Sequence, residues 1–272
     1  MINILLDFIK NAGNYLIQHQ TNIKPLLHKD SSVVSVVTHA DLHISDMFEQ
    51  TLKTHFSDLN YIIIDEEKIT KYGDDIFDKI NQSEYQFVID PIDGTIQYAN
   101  GHHLFGITVG VYKNSKPVIG IIYMPKMREL IYFDGTHAYH VHDPFCDSET
   151  KTQLLPSTES ASPIAFANQY NWAINNETST FAFFNYFSAV SQCFYTLVGT
   201  ARAYCMKTRL WDIAGTIPIA NYLGINIYEY GTKKICNCIS SEYFNTNMCL
   251  KNYCIICHPN NYDEIARLVT PK

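Results

Sequence analysis

The sequence predicts a mixed α/β protein with a mainly antiparallel first sheet and a second, mixed α/β layer. Strand patterns dominate residues 85–142, where short apolar runs alternate with turn signals. After residue 163, helix and strand patterns alternate, which is typical of an α/β layer. The polar stretch 143–163 separates the two regions. We therefore expect an N-terminal subdomain of residues 1–145 and a C-terminal subdomain of residues 146–272.

Composition and charge narrow the class of protein. The chain has 272 residues, of which 46% are hydrophobic and 17% charged, so a sizeable core is expected. The net charge is −7 and no Lys/Arg cluster occurs, which argues against nucleic-acid binding. No apolar run reaches the ~18 residues of a membrane span, and the first residues lack the pattern of a secretory signal peptide. Eight cysteines without a disulfide framework indicate a reducing, cytoplasmic environment.

The first elements predicted are two helices joined by a connector. Apolar residues recur at helical spacing over residues 1–20, which predicts a packing helix. Within the connector 24–40, the β-branched run from Val33 to Thr38 predicts an extended segment. A second helical pattern follows Asp41, so this residue should lie near the helix N-terminus, where an N-cap is one interpretation.

Acidic residues follow two predicted buried strands. The strand Tyr61–Ile64 ends at Asp65-Glu66-Glu67, and the strand Tyr85–Ile89 leads into Asp90-Pro91-Ile92-Asp93-Gly94-Thr95. Between them, residues 68–83 are predicted to be a surface excursion. The other strands predicted for this sheet cover residues 107–112, 118–123, 130–133 and 137–142.

In the second half, one predicted helix begins at Trp211-Asp212-Ile213-Ala214-Gly215 and runs to about residue 222. Pro218 lies inside it and lacks an N–H, so we expect a kink or an early end, with the first turn intact. The remaining strands are predicted at 163–167, 202–206, 225–230 and 253–257, and the remaining helices at 178–198 and 261–269.

Four carboxylates share this placement after a strand: Glu66, Asp90, Asp93 and Asp212. They are expected to converge at one edge of the sheets. Hard cations such as Mg²⁺ prefer oxygen ligands, and clustered carboxylates repel one another without a cation. Two such ions can stabilise both the attacking and the leaving oxygen of a displacement at phosphorus. The pattern therefore predicts a metal site that handles phosphate.

The sequence resembles the inositol monophosphatase-like superfamily of Mg²⁺-dependent, lithium-sensitive phosphatases over nearly the whole chain. The resemblance implies a layered α-β-α-β-α sandwich, a cytoplasmic homodimer, and a small phosphorylated metabolite as substrate. The segments that carry it, in the order of the family, are Val37-Thr38-His39-Ala40-Asp41, Asp65-Glu66-Glu67, Asp90-Pro91-Ile92-Asp93-Gly94-Thr95 and Trp211-Asp212-Ile213-Ala214-Gly215.

The same resemblance implies a set of metal ligands for two or three Mg²⁺ ions. Glu66, Asp90 and the backbone carbonyl of Ile92 would hold the first ion. Asp90, Asp93 and Asp212 would hold the second, and Glu66 would contact a third, weaker ion through water.

The resemblance also implies catalytic and substrate-binding roles. Thr95 and Asp41 would position a metal-activated water, which makes them catalytic residues together with Glu66. The N–H groups of Gly94 and Thr95 would cradle the phosphate. Lys29 falls near a lysine of the family that approaches the third ion, and a surface lysine is the alternative interpretation. The residues expected to contact substrate are Gly94, Thr95, Asp212, Lys207 and Arg209.

The choice of substrate is less determined than the reaction. In the segment 199–210, Cys205 or Met206 stands where the inositol phosphatases carry a glutamate that contacts the sugar. Lys207 and Arg209 are candidates for contact with a second phosphate or an anionic leaving group, and solvated charges of a loop are the alternative interpretation. The alternative substrates are therefore 3′(2′),5′-bisphosphate nucleotides, fructose 1,6-bisphosphate and histidinol phosphate. A catalytically weak relative with a regulatory or binding role is a further alternative.

Two other clusters contain side chains that can bind metals. Cysteines and one histidine crowd into residues 236–258, but alternate positions of a strand point to opposite faces, so buried reduced thiols are favoured over zinc. His140 and His142 share a face of the predicted hairpin and are able to chelate, although exposed histidines are the default interpretation. His102 and His103 follow the central motif, and they are candidates for the border of the site.

Overall fold

The computed structural model describes residues 1–20, 27–28, 36–168, 170–175 and 181–272, and its elements form five layers, in the order helix, sheet, helix, sheet, helix. Short 3₁₀ helices cover Ile69–Asp75 and Pro259–Asn261. The α-helices are α1 (Ile2–His19), α2 (His39–His55), α3 (Ile76–Gln82), α4 (Thr95–Ala99), α5 (Ala189–Leu197), α6 (Leu210–Ile213), α7 (Thr216–Leu223) and α8 (Tyr262–Leu268). The strands are β1 (Leu27–His28), β2 (Val36–Val37), β3 (Tyr61–Asp65), β4 (Tyr85–Asp93), β5 (Gly106–Lys113), β6 (Lys116–Met124), β7 (Glu129–Phe133), β8 (Ala138–His142), β9 (Thr150–Leu154), β10 (Ile164–Ala167), β11 (Trp172–Ile174), β12 (Ala182–Phe184), β13 (Ala203–Met206), β14 (Asn226–Glu229), β15 (Cys254–Cys257) and β16 (Val269–Pro271).

The first sheet has seven strands in the order β3-β4-β5-β6-β7-β8-β9. Its first pair, β3 and β4, is parallel, and the other neighbours are antiparallel. This confirms the predicted mainly antiparallel sheet. The predicted subdomain boundary between residues 145 and 146 remains a prediction, and β9, which follows that boundary, is the last strand of this sheet.

The second sheet has five strands in the order β12-β10-β13-β15-β14. It is mixed, as predicted, because β10 is parallel to β12 and β13 whereas β15 is antiparallel to β13 and β14. Two small antiparallel pairs, β1 with β2 and β11 with β16, lie outside these sheets.

Helices cover both sheets and fill the space between them. On the outer face of the first sheet, α1 and α2 bury apolar stripes, and the rings of Phe8 and Phe48 lie 5.0 Å apart there. Helices α5, α6 and α7 form the middle layer, and α8 packs Ile265 on the outer face of the second sheet. The layered α-β-α-β-α architecture is thus confirmed. Among the described residues, no helix is both long enough and apolar enough to span a bilayer.

At Gly110 and Gly120 the backbone of the middle layer lies directly against the first sheet. A Cβ on Gly110 of β5 would lie 2.3 Å from the carbonyl oxygen of Ala214, and a Cβ on Gly120 of β6 would lie 2.2 Å from that of Gly215. The N–H of Gly215 donates to the hydroxyl of Thr108 at 3.0 Å. This close approach fixes the segment after Asp212 against the sheet, because there is no side chain between them to repack.

The break predicted near Pro218 is present, and its cause is visible. The helix pattern from Trp211 divides into α6 and α7 at Ala214 and Gly215. Pro218 has no N–H to donate to the carbonyl of Ala214 four residues earlier. The buried hydroxyl of Tyr112 donates to that carbonyl instead, at 2.9 Å. The first turn carrying Asp212 is intact, as expected.

Two local predictions are wrong in detail, and a third is not tested. The helix predicted over 178–198 begins only at Ala189, and β12 occupies part of its first half as an edge strand beside β10. Residues 68–83 are not a bare excursion, because α3 buries Ile76 and Ile80 against the core. The start of the extended run, residues 33–35, and Lys29 lie outside the described residues.

Candidate active site

The site forms where two parallel strands end together. Strands β3 and β4 run in parallel register, so Glu66, which follows β3, and Asp90, near the end of β4, reach the same edge of the sheet. The pairing of β4 with β5 shifts register between Asp90 and Asp93. Such an irregularity bends a strand locally and redirects its side chains. The strand therefore delivers two carboxylates into different surroundings.

Three of the four predicted carboxylates converge. Ligand oxygens of Glu66, Asp90 and Asp212 all lie within 4.8 Å of one another. Asp212 belongs to the first turn of α6, where its Oδ2 accepts hydrogen bonds from the N–H of Arg209 at 2.9 Å and from the hydroxyl of Thr208. Burial, and then the negative charge of Glu66, raise the pKa of Asp212 to about 6. Ionising all three carboxyl groups at once is therefore unfavourable.

Asp93 faces the N-terminus of α5 rather than joining that group of three. Its Oδ2 accepts from the hydroxyl of Ser188 at 2.5 Å and from the N–H of Val190 at 2.8 Å, and its Oδ1 accepts from the N–H of Ala189 at 3.1 Å. Burial, and then the charge of Asp212, raise the pKa of Asp93 to about 8. The side chain links the end of β4 to the middle layer, and its role as a metal ligand remains a prediction.

Thr95 and Asp41 meet, as the predicted catalytic roles require. The Thr95 hydroxyl donates to the carbonyl of Ile92 at 2.9 Å and lies 3.3 Å from Oδ1 of Asp41. Oδ2 of Asp41 accepts from the N–H and the hydroxyl of Thr38, at 2.8 and 2.6 Å. Thr38 is the N-cap of α2 and Asp41 is its third helical residue, so the N-cap interpretation of Asp41 is wrong by three positions. The capping box fixes Asp41 beside Thr95.

Gly94 occupies a position that other residues fit poorly. Its φ is 81°, in the left-handed region, and it caps the short helix α4. A Cβ there would lie 2.9 Å from the Cβ of Ser188 and 3.1 Å from the carbonyl oxygen of Leu104. The glycine therefore permits both the turn after β4 and the close contact with the start of α5.

Asp65 supports the turn that carries Glu66. It is almost fully buried, and its Oδ2 accepts from the hydroxyl of Ser45 at 2.5 Å while its Oδ1 accepts from the N–H of Glu67 at 2.9 Å. Burial raises the pKa of this carboxyl above its ordinary range. These contacts show that Asp65 holds the turn against α2.

A cavity of about 460 Å³ opens beside the carboxylates. Lys207 and Arg209, predicted to contact substrate, both line it. The ammonium of Lys207 lies 4.7 Å from the ring of Tyr253, and the guanidinium of Arg209 lies 5.3 Å from that of Trp211. Other residues that line the cavity are Glu66, Asp93, Asn168, Asn171, Asn185, Phe187, Ser188, Ala189, Gln192, Tyr204, Cys205, Met206, Thr208, Asp212 and Cys249.

Sequence reasoning missed Ser188 and the amide side chains of Asn168, Asn171, Asn185 and Gln192. Ser188 had a usable signal, because a serine before an apolar run is typical of an N-cap, and its oxygen does accept from Ser191 N–H. The four amide residues have no such sequence signal, because they come from separate loops and one helix.

His102 and His103 are not among the described residues that line the cavity. His102 instead meets the side chain of Gln97 through Nδ1, at 2.5 Å. The eight cysteines all lie in the described part of the chain, and all are free thiols.

Known proteins resemble this chain in sequence and in fold. A sequence model of the inositol monophosphatase family matches residues 1–270. A fructose-1,6-bisphosphatase/inositol-1-monophosphatase of Thermotoga maritima is 22% identical over 270 residues, covering 98% of this chain and 95% of that protein. The 3′(2′),5′-bisphosphate nucleotidase CysQ of Salmonella typhimurium is 19% identical over 249 residues, covering 86% and 93%. A crystal structure of an IMPase/NADP phosphatase complexed with Mg²⁺ and phosphate superposes with a TM-score of 0.75 at 18% identity, covering 97% and 93%.

Proposed function

Since this chain belongs to the inositol monophosphatase family and is a phosphatase of that family, we propose that it hydrolyses a small phosphate monoester in a Mg²⁺-dependent reaction. The observation that carries the proposal is the convergence of Glu66, Asp90 and Asp212 beside a 460 Å³ cavity. The fold neighbour complexed with Mg²⁺ and phosphate supports this choice of ion.

The donor set fits a hard dication. It consists of carboxylate oxygens, which Mg²⁺ prefers, and burial, followed by the charge of a neighbouring carboxylate, raises the pKa values of Asp93 and Asp212. Glu66, Asp90 and the Ile92 carbonyl would hold a first ion, and Asp90, Asp93 and Asp212 a second. Oδ1 of Asp93 accepts one hydrogen bond from α5, so one lone pair is left for this purpose. When bound, the ions supply positive charge to the phosphate and activate water.

The remaining roles belong to side chains and backbone already in position. The Thr95 hydroxyl lies between the Ile92 carbonyl and Asp41. Its oxygen would accept a hydrogen bond from the attacking water and so orient that water. The N–H groups of Gly94 and Thr95 would bind phosphate oxygens at the turn after β4. Asp41 would act by keeping the threonine hydroxyl aligned, because Thr38 holds its other oxygen.

Phosphate release over a small panel of substrates tests the proposal. Inositol monophosphates, adenosine 3′,5′-bisphosphate, fructose 1,6-bisphosphate and histidinol phosphate would be assayed with Mg²⁺ and with EDTA. We expect Mg²⁺-dependent release from at least one of them, and its near-complete loss in Asp90→Asn. Asp58→Asn, a change at an exposed aspartate of a turn, is the matched control and should keep full activity. A folded protein that releases phosphate from none of them would favour the regulatory alternative.

A bisphosphate substrate is the second candidate, and one observation favours it. Lys207 and Arg209 line the cavity that also contains the carboxylates, so an anionic group attached to the substrate has two cations within the same space. The relative CysQ, a 3′(2′),5′-bisphosphate nucleotidase by name, supports the hypothesis of a bisphosphate substrate. Removing either cation should raise KM for adenosine 3′,5′-bisphosphate about tenfold, or about 1.4 kcal/mol. Lys251→Ala, an exposed lysine that does not line the cavity, should leave KM unchanged.

Three finer properties complete the proposal. Millimolar lithium should inhibit the Mg²⁺-dependent activity, and sedimentation should show a homodimer. A cytoplasmic location is supported by the eight free thiols, because oxidising compartments favour disulfides.

A further inference from the structure

A second group of metal-ligating side chains lies on the first sheet, away from the cavity. Glu129 in β7 and His140 and His142 in β8 offer ligand atoms that all lie within 4.8 Å of one another. Glu129 pairs directly with His142, and Ile131 pairs with His140, so the register places the three side chains on one face. Strand β7 is three strands away from β4, which is about 14 Å at ~4.8 Å per strand.

The three side chains are already oriented toward one point. Nε2 of His140 lies 2.7 Å from one oxygen of Glu129, and Nδ1 of His142 lies 2.8 Å from the other. The side chains of His140 and Glu129 are only 17% and 16% exposed, whereas that of His142 is 57% exposed. The His140 ring packs edge-on against Phe194 of α5, with centroids 5.4 Å apart. His140 and Glu129 are thus held by the residues packed around them, and His142 lies on the solvent side of the site.

We infer that Glu129, His140 and His142 form a binding site for a first-row transition-metal dication, with Zn²⁺ as its representative. Two imidazoles and one carboxylate suit Zn²⁺, whereas Mg²⁺ favours oxygen donors only. Three protein ligands leave one position of a tetrahedral ion, which water fills from the exposed side of His142.

Binding requires a simple exchange at the two rings. In the metal-free protein, each facing ring nitrogen lies at hydrogen-bond distance from the carboxylate. A ring nitrogen coordinates a metal through its lone pair, so in a neutral ring the proton resides on the other nitrogen when the ion is bound. The ion then replaces the two contacts to Glu129 with three metal–ligand bonds, and no change of strand register is needed.

A titration of Mg²⁺-saturated protein with Zn²⁺, followed by calorimetry, tests the site. Mg²⁺ in excess competes with Zn²⁺ for the carboxylate centre, and the variants of the Glu129 cluster assign the remaining binding to this site even if the proposed reaction were wrong. We expect one Zn²⁺ per chain, with affinity reduced about 100-fold or more in His142→Ala, because even outer-shell partners of metal sites are worth about 10–100-fold. His137→Ala, on the same hairpin but outside the cluster, is the matched control and should bind as the unchanged protein does.

Glu129→Gln gives an independent variant should His142→Ala fold poorly, since it keeps the size of the side chain. Absorption of the Co²⁺-substituted protein identifies the ligand type: nitrogen and oxygen ligands give visible d–d bands without a sulfur charge-transfer band. Equal Zn²⁺ affinity in the unchanged protein and both variants would overturn the inference. So would the absence of Zn²⁺ binding in the presence of Mg²⁺, or a sulfur band abolished by Cys146→Ser.

Discussion

Asp212→Asn should stabilise the metal-free protein at neutral pH while abolishing its Mg²⁺-dependent activity. The carboxylate is partly buried beside Glu66, and its pKa rises from 3.8 to about 6 in the folded state. A folded-state pKa above the unfolded one means that ionisation opposes folding, so stability is lost as pH rises from about 4 to 6. A rise of about two units corresponds to at most about 3 kcal/mol, and less where solvent reaches the carboxylate.

The asparagine keeps the local hydrogen bonds. Its carbonyl oxygen can accept from Arg209 N–H and the Thr208 hydroxyl, as Oδ2 of Asp212 does, and its amide group then faces the remaining carboxylates. Only the repelling charge is lost, together with one proposed metal ligand. The free energy of unfolding of Asp212→Asn should therefore exceed that of the unchanged protein by up to about 3 kcal/mol at pH 7.5 and by almost nothing at pH 4.

Urea unfolding in EDTA at both pH values measures the effect, and Asp58→Asn is the control for removing a charge elsewhere. Adding Mg²⁺ should stabilise the unchanged protein, since the ion binds only the folded state, and should stabilise Asp212→Asn much less. The phosphatase activity of the variant should fall at least about 100-fold. An equal gain in stability at pH 4 and pH 7.5, or no gain at either, would refute the argument that ionising this buried carboxyl beside Glu66 opposes folding.

Three further substitutions test the packing around the site by urea unfolding. Gly94→Ala should destabilise the protein by more than Gly101→Ala, because both have a positive φ but only Gly94 also meets close neighbours; equal losses would leave backbone strain as the sole cause. Ser188→Ala should lower the free energy of unfolding by about 1 kcal/mol, because α5 loses its N-cap. It should also raise the pKa of Asp93, which loses a hydroxyl donor, and this would shift the pH dependence of the unfolding free energy measured without metal. Tyr112→Phe should cost about 1–3 kcal/mol, because the buried carbonyl of Ala214 loses its hydroxyl donor; a neutral result would mean that the break after α6 does not depend on that bond.

The sequence was sufficient wherever a short stretch decides its own structure. The apolar runs before Glu66 and Asp90 become β3 and β4, and their parallel pairing brings the two acids together as predicted. The N-cap of α2 lies three residues before the predicted one. Thr38 and Asp41 are both good capping residues, and only the fold shows that Thr38 is the N-cap and Asp41 completes the capping box.

Contacts between distant parts of the chain were beyond prediction from pattern. Nothing near Asp93 indicates that its oxygens meet the start of α5, and that start was itself hidden in a run of aromatic residues that fits a helix as well as a strand. The same holds for Gly215, whose need to be glycine follows from the carbonyl of Ile121, which would lie 2.2 Å from an added Cβ.

The backbone contact between the two halves also bears on when activity arises during synthesis. Glu66 and Asp90 come from the first sheet, whereas Asp212 reaches them only after the segment ending at Gly215 has docked on β5 and β6. A nascent chain that has made the first sheet alone holds two of the three converging carboxylates. Enzymatic activity should therefore appear only after the second half of the chain has left the ribosome and folded. Its appearance can serve as a measure of completed folding.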